Sequence, residues 1–172
     1  GKGGRSLLIN ADKGFYKNNN NQYQPNSYFD PTGQNMTRSV IYEMHSPTEI
    51  DIHSVKADYE QDFHKGKLGI GGKMAFITTD NDFQRFDVFT KGKELDKDRS
   101  NRFRYEENIN AGYINYNRPF KGFMIQAGLR IENTVTEGTS TGLKKDGSSY
   151  VPVTSNFKRN YTDFFPSAAV TF

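Results

Sequence analysis

The chain is 172 residues long, with 34% hydrophobic residues counting tyrosine, and 25% charged. That argues against a dense two-sided core, since globular domains carry about 45–50% apolar residues. Its 14 Phe and 10 Tyr argue equally against disorder. The absence of cysteine rules out disulfide staples and thiolate zinc sites, and a net charge of +3, from 23 basic and 20 acidic side chains, is too small to draw a polyanion. No run of 18 apolar residues is present, which excludes a transmembrane helix but not a transmembrane strand of about 9–11 residues.

Gly1 to Gly4 read as a cloning remnant or a strand lead-in. A first strand follows over Ser6 to Phe15, where Leu7, Ile9 and Ala11 alternate with Leu8, Asn10 and Asp12. From Lys17 to Pro47 the pattern gives way to NNNNQYQPNSYFDPTGQN, expected as a long polar loop with one short extended run at Ser39 to Met44. The second strand is expected from about Glu49 to Phe63, with Val55, Ala57 and Tyr59 opposed to Ser54, Lys56, Asp58 and Glu60. A sharp turn at His64 to Lys67 leads into a third strand with Leu68, Ile70, Met74 and Phe76 on one parity. Residues 80–100 form a second polar excursion, in which Phe83 to Phe89 extend the hairpin beyond the main sheet.

The stretch Asn101 to Thr134 reads as two long strands turning at Asn117 to Lys121 around Pro119. On its second arm Phe123, Ile125, Ala127, Leu129 and Ile131 take one face, and Gln126, Gly128, Arg130 and Glu132 the other. A helix would smear those apolar positions around its cylinder. Residues 137–156, rich in Gly, Ser, Thr and Lys, are expected as a third loop, and a sixth strand runs from Phe157 to Phe172.

The fold expected is therefore all-β: an antiparallel meander of about six long strands, one β domain over residues 1–172. Long loops at 17–47, 80–100 and 137–156 fall on one rim and tight turns near Lys65 and Pro119 on the other, the arrangement of outer-membrane barrels. One face, Leu7, Ile9, Val55, Ala57, Tyr59, Leu68, Ile70, Ile125, Leu129 and Ile131, is assigned to lipid. The other, Lys56, Asp58, Glu60, Lys73, Arg104, Glu106, Gln126, Arg130 and Glu132, is assigned to a polar lumen. A lipid-facing Arg or Lys would cost about 2–4 kcal/mol at the midplane, which fixes the direction. Single-chain bacterial barrels begin at about eight strands, so six leave open edges and edge-to-edge self-association is expected of the isolated stretch.

Chemical motifs are weak. His45, His53 and His64 have no partners at ligand spacing, so no metal is expected. Asp80 and Asp82 mimic the first two positions of a calcium loop, without the sixth-position Gly or the twelfth-position Glu. The cluster Gly66, Gly69, Gly71, Gly72 and Lys73 departs from a phosphate loop, with Lys67 where its first glycine belongs and Met74 after the lysine. With no cysteine and no serine elbow the chain reads as a non-enzyme, without a cofactor. The strings RFRYE, from Arg102, and FKRNY, from Phe157, support a rival reading, a soluble β-sheet domain stacking glycan or single-stranded nucleic acid. Their other reading makes Phe103, Tyr105, Tyr113 and Tyr161 part of an interfacial aromatic girdle. Glu106, Glu107 and Asp163 would repel phosphate, so nucleic acid is not the expected partner.

Three strings, SPTEIDIHSVKADYEQDF from Ser46, ENINAGYINYNRPFKGFMIQAGLRIENT from Glu107 and FKRNYTDFFPSAAVTF from Phe157, resemble the outer-membrane β-barrel family related to TonB-dependent receptors of Gram-negative bacteria. The resemblance implies a larger barrel, usually preceded by a plug and carboxypeptidase-like segments, in the cell outer membrane. It implies contact with outer-membrane lipid, uptake of a solute, and coupling to a TonB-type energy-coupling protein through N-terminal parts. Ala168, Val170 and Phe172 look like a terminal insertion signal. The FFPS step, however, resembles one followed by further strands, so a stretch trimmed at both ends is expected.

Overall fold

A computed structural model describes residues 4–172, so the Gly1 to Gly4 lead-in lies largely outside the described residues. The described residues form strands β1 (Ser6–Phe29), β2 (Met36–Phe63), β3 (Gly66–Phe89), β4 (Gly92–Leu95), β5 (Asn101–Phe120), β6 (Phe123–Asp146) and β7 (Ser149–Thr171), plus a 3-10 turn at Lys97–Arg99. All belong to one antiparallel sheet, in the order β1-β2-β3-β5-β6-β7. The meander of six long strands is present. The short β4 is additional: it pairs with Phe86 to Phe89 of β3, just past Phe83, where β5 pairing ends.

The three expected loops are mostly strand. Residues 17–29 continue β1 and residues 36–47 begin β2, leaving a turn at 30–35 between them; residues 80–89 continue β3; and residues 137–146 and 149–156 complete a β6–β7 hairpin turning at 147–148. The reason is physical. A ladder bonds backbone to backbone, and where both faces are wet it asks for no apolar alternation. Asn18 to Asn21 thus lie opposite Thr48 to His45 in regular register. The long strands run 20 to 28 residues, while about 9–11 suffice to cross hydrocarbon. The hairpins of one rim therefore project well past any bilayer.

The other rim is tight. His64 and Lys65 both adopt positive φ, 43° and 63°, as a two-residue hairpin turn of matching twist requires. The β5–β6 turn lies at Lys121 and Gly122 and not around Pro119, which stays in β5 opposite Met124. Gly122 supplies the positive φ, 91°, that proline cannot adopt. Where Pro47 removes a donor, pairing between β2 and β3 skips Ser46 and Pro47. There Asn81 Nδ2 donates instead to Ser46 Oγ (2.9 Å), Thr48 Oγ1 (2.7 Å) and the Pro47 carbonyl (3.4 Å).

Among the described residues the buried apolar side chains are Ala75 and Ala111 alone. The sheet has no core of its own; its stability must come from what covers each face and from the neighbours of its edge strands β1 and β7.

Candidate functional site

In an antiparallel ladder, directly opposed residues share a face. One row reads Leu7–Tyr59–Ile70–Ile114–Leu129–Pro166, and the next on the same face Ile9–Ala57–Gly72–Gly112–Ile131–Phe164. All ten residues assigned to the apolar face share it. At the tight-turn rim this face carries Phe63, Tyr116, Phe120 and Phe123; Phe120 stacks on Phe123 at 4.9 Å, and Phe123 lies 6.4 Å from Phe172. Tyr116 Oη donates to the carbonyls of Phe63 (3.2 Å) and His64 (3.1 Å). These rings form an aromatic rim to the apolar band. The girdle expected from Phe103, Tyr105, Tyr113 and Tyr161 is overturned, because the register puts all four on the opposite face.

Towards the projecting hairpins the apolar face turns ionic. Arg102 Nε and Nη2 donate to the Asp80 carboxylate at 2.8 and 2.7 Å, and hold that carboxyl below its usual range. Lys17 meets Glu49 at 2.5 Å and Arg104 meets Glu106 at 2.6 Å, while Lys158 pairs with Glu137. Arg104 and Glu106, expected on the lumen side, thus belong to the other face, beyond its apolar band. The alternation inverts there: Phe103 and Tyr105 lie on the polar face and the charges on the other.

The polar face holds the remaining seven expected residues: Lys56, Asp58, Glu60, Lys73, Gln126, Arg130 and Glu132. Its central row is Leu8–Asp58–Gly71–Tyr113–Arg130–Phe165. Gly71 lacks the Cβ that would come within 2.4 Å of the Tyr113 ring, so the ring lies across β3. Tyr113 Oη then donates to Asp58 Oδ1 at 2.5 Å, and Lys56 Nζ meets Asp58 Oδ2 at 2.9 Å. Lys56 and the Arg130 guanidinium lie 5.8 and 5.7 Å from the Tyr113 ring centre. Arg130 in turn donates to Glu132 at 3.0 and 2.5 Å. The cluster therefore links β2, β5 and β6 across β3. Glu60, Lys73 and Gln126 share the face but not this bonded group.

Crowding distinguishes the two faces. The buried side chains Ala75, Ala111, Thr134 and Thr136 all lie on the polar one, in β3, β5 and β6, whereas the edge strands β1 and β7 are exposed on both faces, Leu7 and Phe164 on one and Leu8 and Phe165 on the other. Along the central strands the polar side is the more crowded one. Chemically that side offers fixed, mutually neutralising charges held by a tyrosine hydroxyl. Sequence reasoning placed Tyr113 in the girdle and not in this cluster, since its signal, a glycine in the facing position, is legible only once the register is known.

The remaining motifs resolve structurally. Gly69 and Gly71 accommodate Asn115 and Tyr113, while Gly72 faces the other way, opposite Gly112. Among the described residues no group of three His, Asp or Glu is placed to hold a metal ion; His45 Nε2 lies 2.7 Å from Glu43. The basic and aromatic strings are divided between faces, with Phe103, Tyr105, Phe157 and Arg159 on the polar side and Arg102, Arg104 and Lys158 on the other, each of those three paired with a carboxylate. On the polar side Arg159 is thus the one basic residue of the two strings beside these rings, and it shares its row with Glu107.

The sequence matches the outer membrane protein beta-barrel family over residues 1–172. No curated protein matches it. Among solved structures, the ferric yersiniabactin uptake receptor FyuA from Yersinia pestis is similar at 13% identity, with a TM-score of 0.57 over 95% of this chain. The ferric citrate transporter FecA in its unliganded form gives 12% identity and a TM-score of 0.43 over 93% of this chain. The chain spans 23% of the first and 24% of the second.

Proposed function

The chain belongs to the outer membrane protein beta-barrel family, and from that premise we propose that it is a stretch of wall in a TonB-dependent receptor-like transporter that takes up a solute. Its place is the outer membrane. The observation that carries the reading is the two-faced sheet: an apolar band with an aromatic rim on one side, and a cross-linked charged cluster on the other. The apolar side meets lipid, where no water is available to the backbone and the closed ladder satisfies it. The polar side lines the lumen, where Asp58, Lys56, Arg130 and Glu132 stay hydrated and neutralise one another, and Tyr113 holds their spacing. No bond-making step is assigned to these residues; their work is to bound a wet passage. Coupling to a TonB-type protein acts, in this reading, through N-terminal parts of the whole protein.

The test is uptake by cells producing the full-length protein, compared with cells lacking the TonB-type partner. The expected result is accumulation of one labelled solute from a panel of metal chelates and oligosaccharides, lost when the partner is absent. Equal accumulation in both strains would remove the transporter reading while leaving the fold untouched.

A further inference from the structure

We propose that the inner face of the projecting hairpins binds a neutral, hydroxyl-rich ligand, an oligosaccharide; this rests on the polar face lining the lumen. Above the charged cluster, two successive rows on that face read Tyr16–Ile50–Thr79–Tyr105–Gly138–Phe157 and Asn18–Thr48–Asn81–Phe103–Ser140–Ser155. Neither contains a charged residue. The row between them on the outer face is Lys17–Glu49–Asp80–Arg104–Thr139–Asn156, with four charges in six positions. Within those two rows charge is thus sorted to the outside; the nearest charges on the inner face are Glu107 and Arg159 in the row below, where Glu107 accepts from Tyr105 Oη at 3.3 Å. An ionic ligand seated on those two rows would lose hydration without a counter-charge in either of them, whereas a neutral one pays no such penalty.

What the wall offers instead is rings and hydroxyls. Phe103 stacks on Tyr105 at 6.5 Å with 24° between planes, and Tyr105 lies 6.4 Å from Phe157. Gly138 leaves room for the Phe157 ring where a Cβ would come within 2.1 Å of it, so that ring lies flat along the sheet. Flat rings suit the apolar C–H face of a pyranose. Beside them, Asn81 Nδ2 donates to Ser46 and Thr48, and Asn101 Nδ2 donates to Ser140 at 3.0 Å. Those hydroxyls accept from asparagine and keep their own protons to give, and each asparagine keeps its Oδ1 free to accept. Stacking surface together with uncharged donors and acceptors is the chemistry of sugar hydroxyl recognition.

The experiment uses the full-length protein in detergent, titrated calorimetrically with maltohexaose, cellohexaose and mannohexaose, and with a hexamer of galacturonic acid as the anionic control. At least one neutral hexamer is expected to bind. Tyr105→Ala and Phe157→Ala should each weaken it about tenfold or more, an outer-face Thr139→Ala should not change it, and heat-modifiable gel migration should confirm that every variant is folded. Three results would overturn the proposal: no neutral hexamer binding, binding indifferent to both ring deletions, or equal binding of the anionic hexamer. Ser140→Cys and Thr139→Cys, labelled with a bulky polar maleimide from the lumen side, separate this from failure of the wall reading. If Ser140→Cys is not reached in preference to Thr139→Cys, the lumen assignment itself fails; if it is reached and no sugar binds, only the ligand class does.

Discussion

Tyr113 crosses the bare backbone of Gly71 to donate to Asp58 at 2.5 Å, so β5 is joined to β2 over the strand between them. Adjacent glycines should therefore behave oppositely. Gly71→Ala puts a methyl into the tyrosine ring and is expected to cost about 1–3 kcal/mol, the range of overpacking. In Gly72→Ala the nearest neighbour of the new Cβ is the Ala111 carbonyl at an ordinary 3.5 Å, on the apolar face. That change should be neutral or stabilise by up to about 1 kcal/mol through the unfolded chain. Urea unfolding of the folded full-length protein distinguishes the two, and equal effects would mean the ring does not lie over Gly71.

A charge on the apolar face should be far more costly than one on the polar face. Leu129→Arg is expected to destabilise by about 2–4 kcal/mol if its row sits near the bilayer midplane. Gln126→Arg, three residues away on the polar face, should change stability by less than about 0.5 kcal/mol. The same unfolding measurement in lipid vesicles checks both.

The alternation in Phe123 to Glu132 was legible because one face there is apolar and the other wet, and strands, faces and tight rim follow from it. The hairpin extensions were not legible, since Asn, Ser, Thr and Gly facing water on both sides leave no period to find, though their backbones pair as regularly as the rest. Arg104 and Glu106 were misplaced for a related reason: outside the band the outer face becomes the charged one, so a rule tuned to hydrocarbon inverts. Tyr113 required the register, because its partners lie 42 and 55 residues away at Gly71 and Asp58.

The β1–β2 turn carries its own pH response. The Asp30 carboxylate accepts from Thr32 N (3.1 Å), Thr32 Oγ1 (2.6 Å) and Asn35 Nδ2 (2.8 Å), and its pKa is lowered to about 2. A folded pKa below the ordinary value of 3.8 means the contribution is present above that value and is lost as pH falls through about 2. Amide exchange at Thr32 and Asn35 should therefore show protection, corrected for intrinsic rates, that declines between those two values. Asp30→Asn should remove that pH dependence; an unchanged decline in the variant would place its origin elsewhere.

The central claim is that a single period-2 alternation along β6 separates lipid from lumen, and a cysteine scan from Ile125 to Glu132 tests it most directly. The chain has no cysteine of its own, so in a full-length protein freed of any other cysteine, each single-cysteine variant can carry one nitroxide spin label in lipid vesicles. The account predicts that labels at 125, 127, 129 and 131 collide with dissolved oxygen and labels at 126, 128, 130 and 132 with a water-soluble nickel chelate. Equal accessibility of neighbouring positions, or the same alternation with its phase reversed, would contradict it.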